Sequence, residues 1–177
     1  MFTPWGQSDY TEQLEPGVLR VGTPSHGGLM ITRTYAEKHL SPEARERGMS
    51  CGIYLAYEED CNWCIAAYEL KHLWPQLFRN CNIDPWDHLL RSLSRWNLDY
   101  LRARAINPMP EEAAQYDAMK RTDELRRIKH PDLIVSASTH PSEAGKVVLT
   151  TADGKEHVVD DDKYDCTRVP NLLSFCR

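Results

Sequence analysis

Apolar and polar positions fall into a strand rhythm at both ends of the chain and a helix rhythm between them. "VLRVGT" (18–23) and "GLMITR" (28–33) carry β-branched and apolar residues on either side of "PSHGG", so residues 15–33 are predicted to form a β-hairpin. Residues 34–48 read as a short helical stretch with a Ser-Pro start at Ser41, and "CGIYLAY" (51–57) as a further short strand. The most pronounced helical pattern is predicted from Glu58 onward. Acidic residues occupy its first turn, where the helix dipole favours them, and Cys61, Cys64, Ile65 and Tyr68 recur at helical spacing until Pro75 ends or kinks it.

A second helix is expected to start at Asp84-Pro85, a cap followed by proline at the first helical position. Trp86, Leu89, Leu90, Leu93 and Leu101 mark one face, interrupted by Asn97. After the break at Asn107-Pro108-Met109-Pro110, residues 110–129 read as a charged surface helix with a thin apolar stripe at Ala114, Ala118, Leu125 and Ile128. Strand character returns in "DLIVSAST" (132–139) and "KVVLTTADGKEHVVD" (146–160), where Asp153-Gly154 is a hairpin turn signal. The expectation is an α+β fold in one domain over 1–177: an N-terminal β-hairpin in a motif-bearing part (1–80), a helical middle (81–130) and C-terminal antiparallel strands (131–177).

Composition narrows the class. With 177 residues, 41% hydrophobic and 27% charged, the chain can bury a core and is not of the disordered type. No apolar run approaches the roughly 20 residues that span a bilayer, and the start "MFTPWGQSDY" lacks a signal-peptide pattern, so cytoplasmic localisation without a membrane role is expected. The net charge of -5 argues against gripping nucleic acid by its phosphates, although Arg91, Arg95, Arg102, Arg104, Lys120, Arg121, Arg126, Arg127 and Lys129 cluster locally. The six cysteines, Cys51, Cys61, Cys64, Cys81, Cys166 and Cys176, read as thiols in that compartment.

Three stretches carry candidate chemistry. In "SHGG", glycines at 27 and 28 permit a turn or a close approach, and His26 is a candidate acid, base or hydrogen-bonding clasp. In "YEEDCNW" (57–63), Cys61 follows three acids: a helix start would lower its pKa, whereas the carboxylates would raise it. If the chain is an enzyme, the catalytic set is His26, Cys61, Glu58 and Asp60. The spacing C-x2-C-x7-H-x8-C over Cys61, Cys64, His72 and Cys81 has zinc-ligand types, and His26 with Glu58, Glu59 or Asp60 is another possible set. Two cysteines three apart in one helix usually pack into a core, so neither a metal nor a cofactor is assigned. Trp5, Trp63, Trp74, Trp86 and Trp96 are expected mostly to fill the core, with interface anchoring or a homodimer as the alternative. Phosphate-loop, dinucleotide, nucleophile-elbow and HExxH motifs are absent from the sequence.

The motifs "TPWG", "EPGVLRVGTPSHGGLMIT" and "YEEDCNW" occur in an order that resembles the domain-of-unknown-function 7007 family of uncharacterised phage and plasmid proteins. The residues that carry the resemblance are Trp5, Gly6, Thr23, Ser25, His26, Gly27, Gly28, Glu58, Glu59, Asp60, Cys61 and Trp63, all within roughly the first 70. The ending "KYDCTRVP" resembles the family's only faintly. The resemblance implies a mobile-element origin and no known reaction. The leading expectation is an accessory protein that binds and inhibits a host macromolecule, with a bacterial anti-phage defence protein as the partner class. Its binding residues would be Ser25, Gly27, Gly28, Glu59, Trp63 and the acidic run Asp160, Asp161 and Asp162, which could oppose a basic groove. The alternative is an enzyme of unknown reaction that uses the His/Cys/carboxylate set.

Overall fold

The computed structural model describes residues 1–165 and 171–176. The last five residues of "KYDCTRVP", Cys166 among them, lie outside them. The chain divides into two compact units, Met1–Tyr116 and Asp117–Arg177. The observed class is the α+β arrangement expected from the sequence: strands, then helices, then an antiparallel sheet.

In the first unit, β1 (Phe2–Thr3) and β2 (Gly6–Gln7) form a two-residue ribbon. β3 (Tyr10–Glu15), β4 (Val18–Gly22), β5 (Gly27–Thr32), β6 (Met49–Cys51) and β7 (Tyr54–Glu58) form one antiparallel sheet in the order β3-β4-β5-β7-β6. The predicted hairpin is β4–β5. The pattern gave no warning of β3, because only Leu14 along it is buried. The single strand expected at 51–57 is two, joined by a turn at Gly52-Ile53. The stretch 34–48 is likewise two helices, α1 (Arg33–His39) and α2 (Pro42–Arg47). Ser41 caps α2 as expected, its Oγ accepting from the Ala44 amide at 3.1 Å.

The helix predicted from Glu58 starts five residues later, as α3 (Trp63–Glu69). Glu58 instead completes β7, paired directly with Gly28, and its carbonyl accepts the amides of Cys61 and Asn62. Strand pairing outcompetes the preference of acids for a helix start, so residues 59–62 turn the chain rather than begin a helix. α3 ends at Leu70, ahead of Pro75. A 3-10 turn (Lys71–Leu73) then leads into α4 (Trp74–Leu77), where Pro75 sits in the first turn. α5 (Pro85–Trp96) begins at the predicted cap, Asp84 Oδ1 accepting from the Trp86 amide at 3.0 Å. It stops at Asn97, and α6 (Leu98–Ala103) carries Leu101 separately.

Alternation along the strands gives the sheet two apolar faces. Val18, Leu29, Ile31, Leu55 and Tyr57 pack under Ile65, Ala66, Leu70, Leu73, Leu89, Leu93, Leu98 and Leu101 of the helices. On the other face Val21, Met30 and Ala56 are covered by Met1, Trp5, Leu19 and Tyr54. None of the five tryptophans is fully buried, which corrects the expectation that most fill the core. Trp5, Trp63 and Trp74 are partly buried against apolar clusters, whereas Trp86 is 41% and Trp96 50% exposed. Cations cover the rings of those two: Lys71 Nζ lies 4.6 Å from one centroid and the Arg95 guanidinium 5.0 Å from the other.

α7 (Pro110–Lys129) matches its predicted span but not its predicted stripe. Its buried positions are Glu112 and Tyr116, while Leu125 and Ile128 are 68% and 72% exposed. Tyr116 joins the helical core and donates to Asp99 at 2.7 Å, and Ala113 packs beside it, so the start of the helix docks through these residues rather than through the expected stripe. In the second unit β8 (Ile134–Thr139), β9 (Lys146–Thr151) and β10 (Glu156–Asp160) form an antiparallel sheet, with the turn at Asp153-Gly154 as predicted. No described helix is long and apolar enough to cross a membrane.

Candidate functional site

Direct pairing of Gly28 with Glu58 sets the "SHGG" and "EEDC" stretches side by side. The turn between β4 and β5 is closed by Thr23, whose hydroxyl donates to the His26 carbonyl at 3.0 Å and accepts the His26 amide at 3.1 Å. The two glycines are not part of this turn. They open β5, where neighbouring atoms crowd the place a side chain would take. A Cβ on Gly28 would lie 2.1 Å from the Tyr57 carbonyl oxygen and 2.8 Å from the Trp5 ring, and one on Gly27 would lie 2.8 Å from Glu59 Oε2. Trp5 of "TPWG", Gly28 of "SHGG" and Glu58 of "EEDC" thus form one contiguous patch.

Glu58 is its hub. Its side chain is only 12% exposed, and Oε1 lies 3.2 Å from His26 Nδ1. Oε2 accepts the Asp60 amide at 3.2 Å, and the Cys61 thiol is hydrogen-bonded to the same carboxylate. An ionised carboxylate only accepts, so Nδ1 is the donor in this contact, and in the neutral ring the lone pair falls on Nε2. His26 is half exposed, and Nε2 has no partner among the described residues.

Cys61 precedes α3 rather than sitting in its first turn, so the helix start does not lower its pKa. The hydrogen bond to Glu58, burial and the nearby charges of Glu58 and Asp60 push its thiol up to about 11. A thiol of this kind is a poor nucleophile at neutral pH. Burial pushes Cys64 up to about 12. Asn97, read from sequence only as an interruption, clamps this turn: Nδ2 donates to the Cys61 carbonyl at 2.8 Å and lies 3.4 Å from Cys64 Sγ.

The four residues with zinc-ligand spacing do not converge. Cys64 is buried, Cys81 is exposed, and His72 Nε2 contacts Glu15 at 2.8 Å. Among the described residues no three His, Cys, Asp or Glu side chains are grouped to hold a metal ion.

A cleft of about 360 Å³ adjoins the patch, with Tyr10, Arg20, His26, Gly27, Glu59 and Trp63 in its wall. Tyr10 and Arg20 were not singled out from the sequence; β3 and β4 bring them there across the Tyr10–Gly22 pair. Arg20 donates to the Leu77 carbonyl at 2.9 Å and lies 3.5 Å from Glu12. Gly28 is hydrogen-bonded within a strand paired on both sides, so its amide belongs to the sheet and not to an oxyanion hole. Ser25 is exposed on the turn. The acidic run lies in the second unit. Asp160 ends β10 and is paired with Lys146 at 2.9 Å and Lys163 at 3.8 Å, while Asp161 and Asp162 are exposed in a 3-10 turn.

No curated protein and no solved structure matches the chain. The family model described as "Domain of unknown function (DUF7007)" matches residues 1–126, which takes in both motif stretches, the cleft and the helical middle through the first four turns of α7. The match spans more than half of the sequence, and the chain belongs to the DUF7007 family.

Proposed function

We propose that the patch is an acid–base centre serving a ligand held in the adjoining cleft. His26 exchanges a proton at Nε2, and Glu58 fixes the ring by accepting from Nδ1. The observation that carries this is the 3.2 Å contact between a half-exposed imidazole and a shielded carboxylate. A buried carboxylate that orients a histidine and offsets its positive charge is a recurrent catalytic arrangement. Glu58 acts here through the histidine, Asp60 supplies its backbone amide to Glu58 Oε2, and Cys61 acts as a hydrogen-bond donor to Glu58 rather than as a nucleophile. Long-range proton–nitrogen NMR of the imidazole tests the reading. Neutral His26 is expected as the Nδ1–H tautomer, reverting to the common Nε2–H form in Glu58→Ala. An Nε2–H form in the native protein overturns the reading.

A second reading is docking on a host protein, in the cytoplasm of a bacterium carrying a phage or plasmid. Exposed Trp86 and Trp96 favour it, because tryptophan is enriched where interfaces form. The acidic run supports it less, since Asp160 is paired within its own unit. Phage challenge of hosts carrying different defence systems tests it. The wild-type gene is expected to restore phage growth in one of them and the double variant Trp86→Ala/Trp96→Ala to fail. Equal growth with both genes in every host overturns it.

A further inference from the structure

We infer that the cleft beside His26 takes an organic cation, a primary ammonium or guanidinium group on a short apolar stem. The inference rests on the reading of the cleft as a ligand site and names what fills it.

Three observations point to a cation. First, Glu59 folds over Gly27, with Oε2 2.8 Å from where a side chain would begin, and lies in the cleft wall. Its carboxylate makes no hydrogen bond or ion pair among the described residues. An exposed carboxylate of this kind is a ready acceptor for a charged N–H donor. Second, the positive group in the wall is already used. Arg20 is held by Glu12 and by the carbonyls of Gln76 and Leu77 at 3.3 and 2.9 Å, and Arg79 lies 2.6 Å from the same Glu12. An anionic ligand would have to displace those contacts. Third, Trp63 and Tyr10 line the cleft beside Leu29 and Leu77. Indole and phenol faces attract cations, and the leucines suit a methylene stem.

His26 lines the same cleft as Glu59, so a bound ammonium would share that cleft with the imidazole.

Proton–nitrogen NMR titration of the full chain tests this with four small probes: butylammonium, butylguanidinium, butyrate and butanol. The two cations are expected to give saturable shifts at the Gly27 and Glu59 amides and the Trp63 indole N–H. Binding should weaken at least tenfold in Glu59→Gln and fall as salt is raised. Glu59 is exposed, so the variant's remaining spectrum should overlay that of the native protein and report an intact fold. Equal binding of butyrate or butanol, or undiminished cation binding by Glu59→Gln, overturns the inference while leaving the cleft a ligand site. No shift with any probe overturns this inference and the cleft's occupancy together. An Nε2–H tautomer with intact cation binding overturns the acid–base reading alone.

Discussion

Replacing Gly28 by alanine should separate the two strands that hold His26 against Glu58, and its cost can be worked against a neighbouring control. The added Cβ would sit 2.1 Å from the Tyr57 carbonyl oxygen, more than an ångström inside the about 3.3 Å of the closest ordinary C···O contacts. That oxygen is backbone in a central strand and cannot swing aside. The Trp5 ring at 2.8 Å closes the other side. Overpacking of a tight interior costs about 1–3 kcal/mol, and a backbone clash of this depth belongs at or above the upper end, about 3 kcal/mol or more. At Gly27 the nearest atom is Glu59 Oε2 at 2.8 Å, the tip of a flexible exposed side chain, followed by the Val21 carbonyl at 3.1 Å. Gly27→Ala should therefore cost about 1 kcal/mol, mostly by displacing Glu59. Urea denaturation followed by tryptophan fluorescence measures both. The Gly28 variant should lie at least about 2 kcal/mol below the Gly27 variant, and its His26 should lose the Nδ1–H tautomer. Stabilities within about 0.5 kcal/mol of each other would refute the close-approach argument.

Other outcomes follow from the same contacts. Glu69 on α3, its side chain 10% exposed, accepts from the Ser41 amide, the Ser41 hydroxyl and the Tyr100 hydroxyl, each at 2.6 Å, so Glu69→Ala leaves these donors unpaired and should destabilise by about 1–3 kcal/mol. Glu69→Gln keeps one acceptor oxygen and should cost clearly less in the same denaturation assay. Alkylation of Cys61 by iodoacetamide at pH 7, followed by peptide mass spectrometry, should be slow, since a thiol pushed from 9.0 to about 11 has about a hundredfold less thiolate. Glu58→Ala should accelerate it. Burial acts to raise the pKa of Glu15, but hydrogen bonds from Tyr35 and His72 and the nearby histidine charges outweigh burial and hold it below the ordinary value. A carboxyl lowered on folding adds stability that is complete above its unfolded pKa of about 4.3 and disappears as pH falls through the lower folded value. The urea midpoint of Glu15→Gln should consequently change less than that of the native protein between about pH 5 and 3. Leu125→Ser should shift stability by less than about 0.5 kcal/mol, because the side chain is 68% exposed; a larger loss would mean that it is covered in solution.

Local signals were enough for the fold class, the β4–β5 hairpin, the Ser41 and Asp84 caps, the span of α7 and the Asp153-Gly154 turn. Each depends on contacts within a few residues: a side-chain oxygen on a nearby amide, a proline with fixed φ, a glycine in a turn. The motif stretches were also legible, because unusual residues at fixed spacing stand out without a structure. Register and competition were not. Nothing near Glu58 in the sequence says that it will pair with Gly28 thirty residues earlier, and that pairing takes it out of the expected helix and turns its carboxylate into the hub for His26, Asp60 and Cys61. The same pairing gives Gly28 its purpose, which is close approach rather than a turn, and settles which way the opposing influences on Cys61 fall. Tyr10, Arg20 and Asn97 reach the site across sheet pairs or from another helix, so no local pattern could mark them. Residue types and short-range geometry travel with the sequence; which carboxylate meets which histidine is decided by strand register, a long-range property that only the folded chain possesses.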